Sequence, residues 1–187
     1  ARRRRRLGEA SELPEWYEAY PYIKRYYRVH YTACDCAASV MEVHNETCNI
    51  WTHLVGTAIF AYRSFKSLAA RDADELSLLV YTSCACFMLA ASTTYHAFHP
   101  VSPRTDARRL VADRLGIALM LGGSYAPGVW LGFRCEPPLV RVLWLADATV
   151  LTCVAAGLVW QRSSRFKTGI VALVVSSLAP IFHWLSI

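Results

Sequence analysis

A serine, a histidine and an aspartate have the types and spacing that chemistry at a metal would need. Ser92 and His96 are four residues apart in an apolar block, so a helix would place both side chains on one face. Asp113 begins the next apolar block after a short loop, and a helical hairpin would bring it to the same side of a bilayer as His96. A neutral imidazole can ligate zinc, and a carboxylate can hold a zinc-bound water whose pKa is lowered to about 7.

A purely structural interpretation of these residues stays open. A histidine near a helix end is often only hydrogen-bonded at an interface, and an aspartate at a helix start is often only a cap. His99 lies three residues after His96 at the edge of the block, where we expect it to be solvated. One histidine and one aspartate do not complete a zinc site, so the spacing alone leaves both interpretations open.

Other polar residues in the apolar blocks have structural explanations. Asp147 and His183 form a second candidate pair, which we interpret as a stabilising hydrogen bond worth about 0.6 kcal/mol rather than as a catalytic pair. Pro127 and Pro180 predict kinked helices that can open a cavity. His53 lies within reach of His96 if the first apolar block is a span, although interface anchoring explains it equally well.

The elements that must position these residues are membrane helices. Of the 187 residues 55% are hydrophobic and 18% are charged, against about 45–50% and about 25% in soluble domains. The apolar residues form long blocks, and a helix of about 20 such residues crosses a bilayer. We therefore predict an all-α, polytopic transmembrane bundle, and we exclude a soluble globular or disordered chain. Five spans are expected, at about residues 50–67, 76–98, 115–133, 142–160 and 169–187.

The remaining sequence divides into two segments before the bundle at residues 48–187. Residues 1–33 form a basic, aromatic segment, and residues 34–47 are predicted to form an amphipathic helix at the membrane interface. With the N-terminus inside, fifteen of the 20 Lys and Arg residues fall on the inner side, which predicts a cytoplasmic N-terminus. The protein is expected to be a multi-pass protein of the plasma membrane or an internal (ER or Golgi) membrane. The seven cysteines are expected to be unpaired.

Several motifs in order along the chain carry a family resemblance between about residues 13 and 187. The chain resembles the progestin and adipoQ receptor (PAQR, haemolysin III-related) family, and within it the adiponectin-receptor-like branch. The motifs are Leu13-Pro14-Glu15-Trp16, His44-Asn45-Glu46-Thr47-Cys48-Asn49-Ile50-Trp51-Thr52-His53, Ser92-x-x-x-His96, Asp113-x-x-Gly116, Ser124-x-x-Pro127 and Pro180-x-x-His183.

The resemblance implies a seven-span, receptor-like protein with a cytoplasmic N-terminus and a zinc ion near the inner face. It implies that His96 is a zinc ligand, that Asp113 orients the zinc-bound water and that Ser92 is their neighbour. The implied activity is ceramidase-like hydrolysis of a lipid amide, linked to lipid metabolism and signalling. The implied partners are membrane lipids, ceramide or another lipid substrate, and an extracellular protein or steroid-like ligand; nucleic acid is not among them.

Three departures from the family pattern qualify this expectation. Cys48 stands where the family usually has glycine, and Arg114 follows Asp113 where an aromatic is usual, so that Arg114 could pair with the carboxylate and reduce its use as a proton acceptor. The sequence ends where we place the fifth of seven spans, without the two histidines of the seventh. We therefore expect a fragment or a truncated relative that binds zinc weakly or not at all. A non-catalytic receptor for a steroid-like or protein ligand, and an inactive truncated relative, remain the alternatives.

Overall fold

The part of the chain that the structure describes comprises residues 5–70 and 72–186 of a computed structural model. Arg2 to Arg4 and Arg71, which enter the charge count above, lie outside the described residues. So does Ile187, the last residue of the fifth predicted span.

The described residues are mostly helical, which confirms the predicted fold class. The seven α-helices within them are α1 (Ala33–Ser39), α2 (Thr47–Ala70), α3 (Ala73–Phe98), α4 (Pro103–Gly132), α5 (Pro138–Trp160), α6 (Phe166–Ser176) and α7 (Leu178–Ser186). Two short strands, β1 (Arg6–Glu9) and β2 (Arg25–Val29), precede them. Single 3-10 turns lie at Ala10–Glu12 and His99–Val101.

Four helical segments within the described residues are long and apolar enough to cross a membrane. They are Ala73–Val101, Pro103–Gly132, Pro138–Trp160 and Phe166–His183, and they overlap the second to fifth predicted spans almost completely. The first predicted span, at about residues 50–67, lies on α2, which is long enough but is not among the four. Polar side chains such as Asn49, His53, Arg63 and Lys66 interrupt its apolar residues. The chain is thus a multi-pass membrane protein, while the span at α2 and the cytoplasmic N-terminus stay predictions.

The two prolines inside spans have different effects on their helices. Pro180 has no N–H to donate to the carbonyl of Ser176, and the helix is interrupted at Ser177, between α6 and α7. Helix α4 continues through Pro127 without interruption. The irregularity predicted at Pro180 is therefore present as a helix break, whereas the kink at Pro127 stays a prediction.

The segment before α2 differs from the prediction in two respects. β1 and β2 pair as an antiparallel sheet, with Arg6 opposite Val29, within the segment that we left without secondary structure. The amphipathic helix predicted at 34–47 is wrong in its extent, since α1 has seven residues and turns follow it. The Thr47 hydroxyl accepts a bond from the His44 N–H and donates one to the Glu42 carbonyl, so these backbone groups bond a side chain instead of extending the helix.

The chain divides into two compact units, each with its own core. The first, here called the polar unit, comprises the residues up to Gly56 together with Leu89–Asp113. The second, here called the helical unit, comprises Thr57–Met88 together with the residues from Arg114 onward. Buried aromatic and aliphatic side chains fill the cores; in the polar unit they include Tyr17, Tyr27, Val29 and Ile50, and in the helical unit Tyr125, Val129, Phe133, Ala148 and Leu173.

Candidate functional site

A fully buried carboxylate, that of Glu46, lies at the centre of the polar unit. Its Oε2 lies 2.9 Å from Nδ1 of His96, and its Oε1 lies 3.4 Å from Nε2 of His99. The side-chain amide of Asn49 donates to Oε2 at 2.7 Å. A buried carboxylate needs such donors, because removing it from water without partners costs several kcal/mol. Glu46 therefore fixes two histidines that lie on different elements from itself.

The backbone around Glu46 is held by the chain on both sides of it. The Glu46 carbonyl accepts the N–H of Ile50 in the first turn of α2, and the Asn45 N–H donates to the Tyr26 carbonyl of β2. The Glu46 N–H donates to Nδ1 of His44, whose Nε2 lies 3.1 Å from the Ser39 carbonyl. These bonds require the neutral imidazole of His44 with its proton on Nε2.

Two ionisable groups in this loop have shifted pKa values. Burial alone would raise the pKa of Glu46, but hydrogen bonds with His96, His99 and Asn49 outweigh it and hold the pKa below its usual range. Burial lowers the pKa of His44 to about 4, and the positive charge of Arg28 adds to that effect. Glu46 is therefore a carboxylate, and His44 a neutral imidazole, at neutral pH.

A buried arginine, Arg28 on β2, secures the end of α3. Its guanidinium donates to the carbonyls of His96 at 2.6 Å and Ala97 at 2.8 Å, and to the Ser39 hydroxyl at 3.2 Å. The last carbonyls of a helix have no partners within the helix and carry partial negative charge, so a cation stabilises them. Arg28 thus holds the backbone of His96 while Glu46 holds its ring.

The ring of His96 is oriented so that one nitrogen is available. Nδ1 bonds Glu46, whereas Nε2 has no hydrogen-bond partner in the part of the chain that the structure describes. The His53 ring stacks on it at 6.0 Å between centroids, and the Tyr95 ring meets it edge-on at 5.1 Å. A histidine that binds a metal usually donates its other ring N–H to a carboxylate or carbonyl, and His96 has that arrangement.

His99 is buried, so the expectation that it is solvated was wrong. Its Nε2 lies 3.3 Å from the Tyr17 hydroxyl as well as near Glu46, and its Nδ1 lies 3.7 Å from Asp106. The residues before α1, which include Tyr17, cover the position that a bare helix end would expose. That coverage could not be inferred from the distance of His99 to the end of the apolar block.

Ser92 and Asp113 are not joined to His96 by a bond among the described residues. Ser92 is buried one turn before His96 on α3, and Asp113 is half-buried on α4. The roles assigned to Ser92, Asp113 and His96 from the resemblance stay predictions. The ion pair considered between Asp113 and Arg114 is not formed within the described residues; the Arg114 guanidinium lies 5.4 Å from the ring centroid of Phe166.

The described residues do not provide a complete set of zinc ligands. Within residues 5–70 and 72–186, no group of three or more His, Cys, Asp or Glu side chains is placed to hold a metal ion. His96 offers one oriented nitrogen, and structural or catalytic zinc requires at least three protein ligands. The donor set therefore fits zinc only in part.

The second predicted pair lies in the helical unit. Asp147 accepts a hydrogen bond from the Ser176 hydroxyl at 2.5 Å, and the His183 ring packs 5.5 Å from that of Phe133. Asp147 and His183 line the same cavity of about 350 Å³. The structure thus brings the two residues together, while the hydrogen bond between them stays a prediction.

Sequence reasoning missed Glu46, Arg28 and Tyr17 as members of the site. Glu46 lies inside the family motif that begins at His44, between Asn45 and Thr47. Its membership of that motif could have marked it as a candidate site residue. Arg28 and Tyr17 lie in a segment rich in arginine and tyrosine, where nothing distinguished them from neighbours that are exposed, such as Tyr22.

Comparison with known proteins identifies the relatives of this chain. The family model described as "Haemolysin-III related" matches residues 41–187. "Heptahelical transmembrane protein 1" of Arabidopsis thaliana is 27% identical, with 97% of this chain and 62% of that protein covered. "Progestin and adipoQ receptor family member 3" of Homo sapiens is 28% identical, with 96% and 62% covered. "Adiponectin receptor protein" of Drosophila melanogaster is 25% identical, with 96% and 45% covered.

The matches to the first two relatives extend over nearly the whole of this chain. This chain, however, spans only 62% of the length of each of them. The family match covers α2 to α7 and includes Glu46, His96, Ser92 and Asp113. The chain belongs to the haemolysin-III-related family, as an adipoQ- and progestin-receptor-like membrane protein.

Proposed function

We propose that this chain is part of an adiponectin-receptor-like membrane receptor in which His96 is a zinc ligand. The proposed activity of the whole protein is ceramidase-like hydrolysis of a lipid amide. The observation that supports this proposal is the 2.9 Å contact between Nδ1 of His96 and Glu46, because it leaves Nε2 as the nitrogen available to a metal.

Glu46 and Arg28 together would keep His96 ready to bind. The carboxylate fixes the tautomer and increases the basicity of the imidazole, and the guanidinium bonds to the His96 carbonyl fix the backbone that carries it. Loss of a carboxylate that orients a metal-binding histidine typically weakens metal affinity by about 10–100-fold. Glu46 would therefore matter for zinc although it would not contact the ion.

Zinc, when bound, polarises a carbonyl and lowers the pKa of a bound water. The described residues supply His96 alone, so we derive no catalytic step through the metal. In the proposal Asp113 is the proton acceptor beside the site, and Ser92 is the polar neighbour one turn from His96. Further donors must come from outside the described residues.

Competition with a chromophoric zinc chelator in detergent tests the proposal. We expect the wild-type chain to bind zinc weakly, His96→Ala to abolish that binding and Glu46→Gln to weaken it by about tenfold or more. His30→Asn is a matched control, since His30 is exposed and its φ of 61° suits asparagine. Zinc binding that is unchanged in His96→Ala would refute the proposal. In a longer relative that hydrolyses ceramide, replacing the histidine that corresponds to His96 by alanine should also abolish that hydrolysis.

A non-catalytic receptor for a steroid-like ligand is a second candidate, favoured by a different observation. A largely apolar cavity of about 300 Å³ lies in the helical unit, and its lining includes Tyr125 on α4, Phe133 just after α4 and Pro180 on α7. That volume is at the lower end for small-molecule sites. Saturable steroid binding that survives His96→Ala, without amide turnover, would favour this candidate over the zinc-dependent one.

A further inference from the structure

The polar unit contains a cavity that the proposed zinc chemistry does not use. It has a volume of about 320 Å³ and is lined by aromatic and acidic side chains from the segment before α1, from α3 and from α4. The residues used below are Trp16, Tyr17, Glu18, Tyr95, His99 and Asp106. This volume is sufficient for a small ligand.

The aromatic wall of this cavity is continuous. Ring centroids are 5.8 Å apart for Trp16 and Tyr17, 4.8 Å for Tyr17 and His99, and 5.2 Å for His99 and Tyr95. Buried contacts fix the middle of the wall, since Tyr17 and His99 are both less than a tenth exposed. The four rings therefore form one aromatic wall of the cavity.

The charge on the cavity wall is negative. Asp106 and Glu18 both line it, and no Lys or Arg lies among the lining residues that the structure describes. The chain as a whole has a net charge of +6, so the cavity differs in sign from the chain. Asp106 also lies beside His99, with a carboxylate oxygen 3.7 Å from its Nδ1, so the carboxylate is adjacent to the aromatic wall.

This combination selects one chemical class of ligand. An anion would meet the carboxylates of Glu18 and Asp106, and the described lining residues include no Lys or Arg. A metal ion would require a cluster of donors, and the described residues hold no group of three or more His, Cys, Asp or Glu side chains placed for one. Aromatic faces with an adjacent carboxylate are instead suited to an organic ammonium group, which gains from the ring quadrupoles as well as from the charge.

We propose that the cavity between Trp16, Tyr17, Tyr95 and Asp106 binds a quaternary ammonium group. Two sources carry that group: free choline, and the headgroup of phosphatidylcholine. The proposal is independent of zinc and of His96, because it rests on the cavity and its lining residues.

Equilibrium dialysis with radiolabelled choline tests the proposal on the whole chain in maltoside detergent. We expect saturable binding that unlabelled tetramethylammonium displaces. The uncharged isostere 3,3-dimethylbutan-1-ol should displace choline at least about tenfold less effectively, since it has the shape without the charge. Equal displacement by the neutral compound, or no saturable binding, would overturn the proposal without any variant being needed.

Variants locate the site. Asp106→Asn should weaken choline binding by about tenfold, and Trp16→Leu by about fivefold. Glu15→Gln is a matched control, because Glu15 is exposed next to Trp16 but does not line the cavity. Choline binding that is unchanged in folded Asp106→Asn protein would contradict the assigned site.

Nanodiscs separate the two sources of the ammonium group. If the headgroup is the ligand, choline should bind in phosphatidylglycerol nanodiscs and be displaced in phosphatidylcholine nanodiscs. Equal choline binding in both would show that the site takes free choline rather than the lipid headgroup. An absence of choline binding in phosphatidylglycerol nanodiscs would reject the proposal for both sources.

Discussion

The polar unit and the helical unit are stabilised by different interactions. In the polar unit the buried side chains include Arg28, His44, Glu46 and His99, and each bonds a partner from a distant part of the sequence or from a neighbouring loop. In the helical unit apolar residues and close backbone approaches dominate. A Cβ added at Gly116 would lie 2.7 Å from the Met88 Cα, closer than real Cβ atoms come. Buried hydrogen bonds and ion pairs thus hold the candidate site in place, whereas close packing holds the helices around Gly116.

The largest predicted effect is the loss of the central carboxylate. Glu46→Ala should destabilise the protein by about 3–5 kcal/mol, because His96, His99 and Asn49 lose their shared buried acceptor. Glu46→Gln retains the shape and should cost less. Thermal unfolding in mild detergent measures both. If Glu46→Ala unfolds at the wild-type temperature, the polar unit does not depend on this network.

The corresponding test of the helical unit adds a single methyl group at a closely packed glycine. Gly116→Ala should destabilise the protein by about 2 kcal/mol, because the new Cβ overlaps backbone that cannot move aside. Gly157→Ala is the matched control in another helix, where no described residue lies within 4 Å of the added Cβ. That control should be neutral or stabilise by up to about 1 kcal/mol, since alanine is the better helix former. Equal effects of both changes would show that close packing at Gly116 is not important.

Acidification should weaken the polar unit through His44. The pKa of His44 in the folded protein is about 4, below the 6.5 of the unfolded chain, so folding favours the neutral imidazole. Its contribution is fully present above pH 6.5 and is lost as the pH falls from 6.5 towards 4. We expect a loss of about 2 kcal/mol between pH 7 and pH 5, measured by denaturation at both values.

His44→Gln should reduce this pH dependence, because glutamine does not titrate. Glu46 contributes a loss of the same sign, but only as the pH falls below its unfolded value of 4.5. A stability of the wild-type protein that rises on acidification to pH 5 would contradict the assigned neutral state of His44.

The smallest predicted effect is in the helical unit, at its exposed polar contacts. Arg134 and Asp74 form an ion pair 2.5 Å long with both side chains about half exposed. Arg134→Gln should change the stability by no more than about 1 kcal/mol, as expected for an exposed pair. A loss as large as that in Glu46→Ala would remove the contrast between the two units. Unfolding at low and high salt gives a second check, since screening weakens exposed pairs.

Hydropathy was sufficient to predict the helices, but the network around Glu46 required the structure. The spans beginning near residues 76, 115, 142 and 169 follow from apolar blocks of sufficient length, and the break at Ser177 follows from the chemistry of proline. His96 was found because it is an ionisable residue in an apolar block. Its partner Glu46 lies fifty residues earlier in the chain, and no local pattern connects the two.

The segment before α2 was the least predictable part of the chain. β1 and β2 pair across fifteen intervening residues, and α1 ends early because loop side chains bond the backbone. Both features depend on tertiary contacts, which override local periodicity. The burial of Tyr17 and Arg28 also depends on tertiary contacts, so the sequence did not distinguish them from exposed tyrosines and arginines nearby.

The central claim is that Glu46 holds His96 with Nε2 available to a metal, and histidine ¹⁵N NMR tests it directly. Protein labelled with ¹⁵N-histidine, compared with a His96→Asn sample to assign the signal, reports which ring nitrogen carries the proton. The account predicts a protonated Nδ1 and an unprotonated Nε2 for His96 at neutral pH, with that preference lost in Glu46→Ala. A proton on Nε2 in the wild-type protein would contradict the claim, because the nitrogen assigned to the metal would then be a donor.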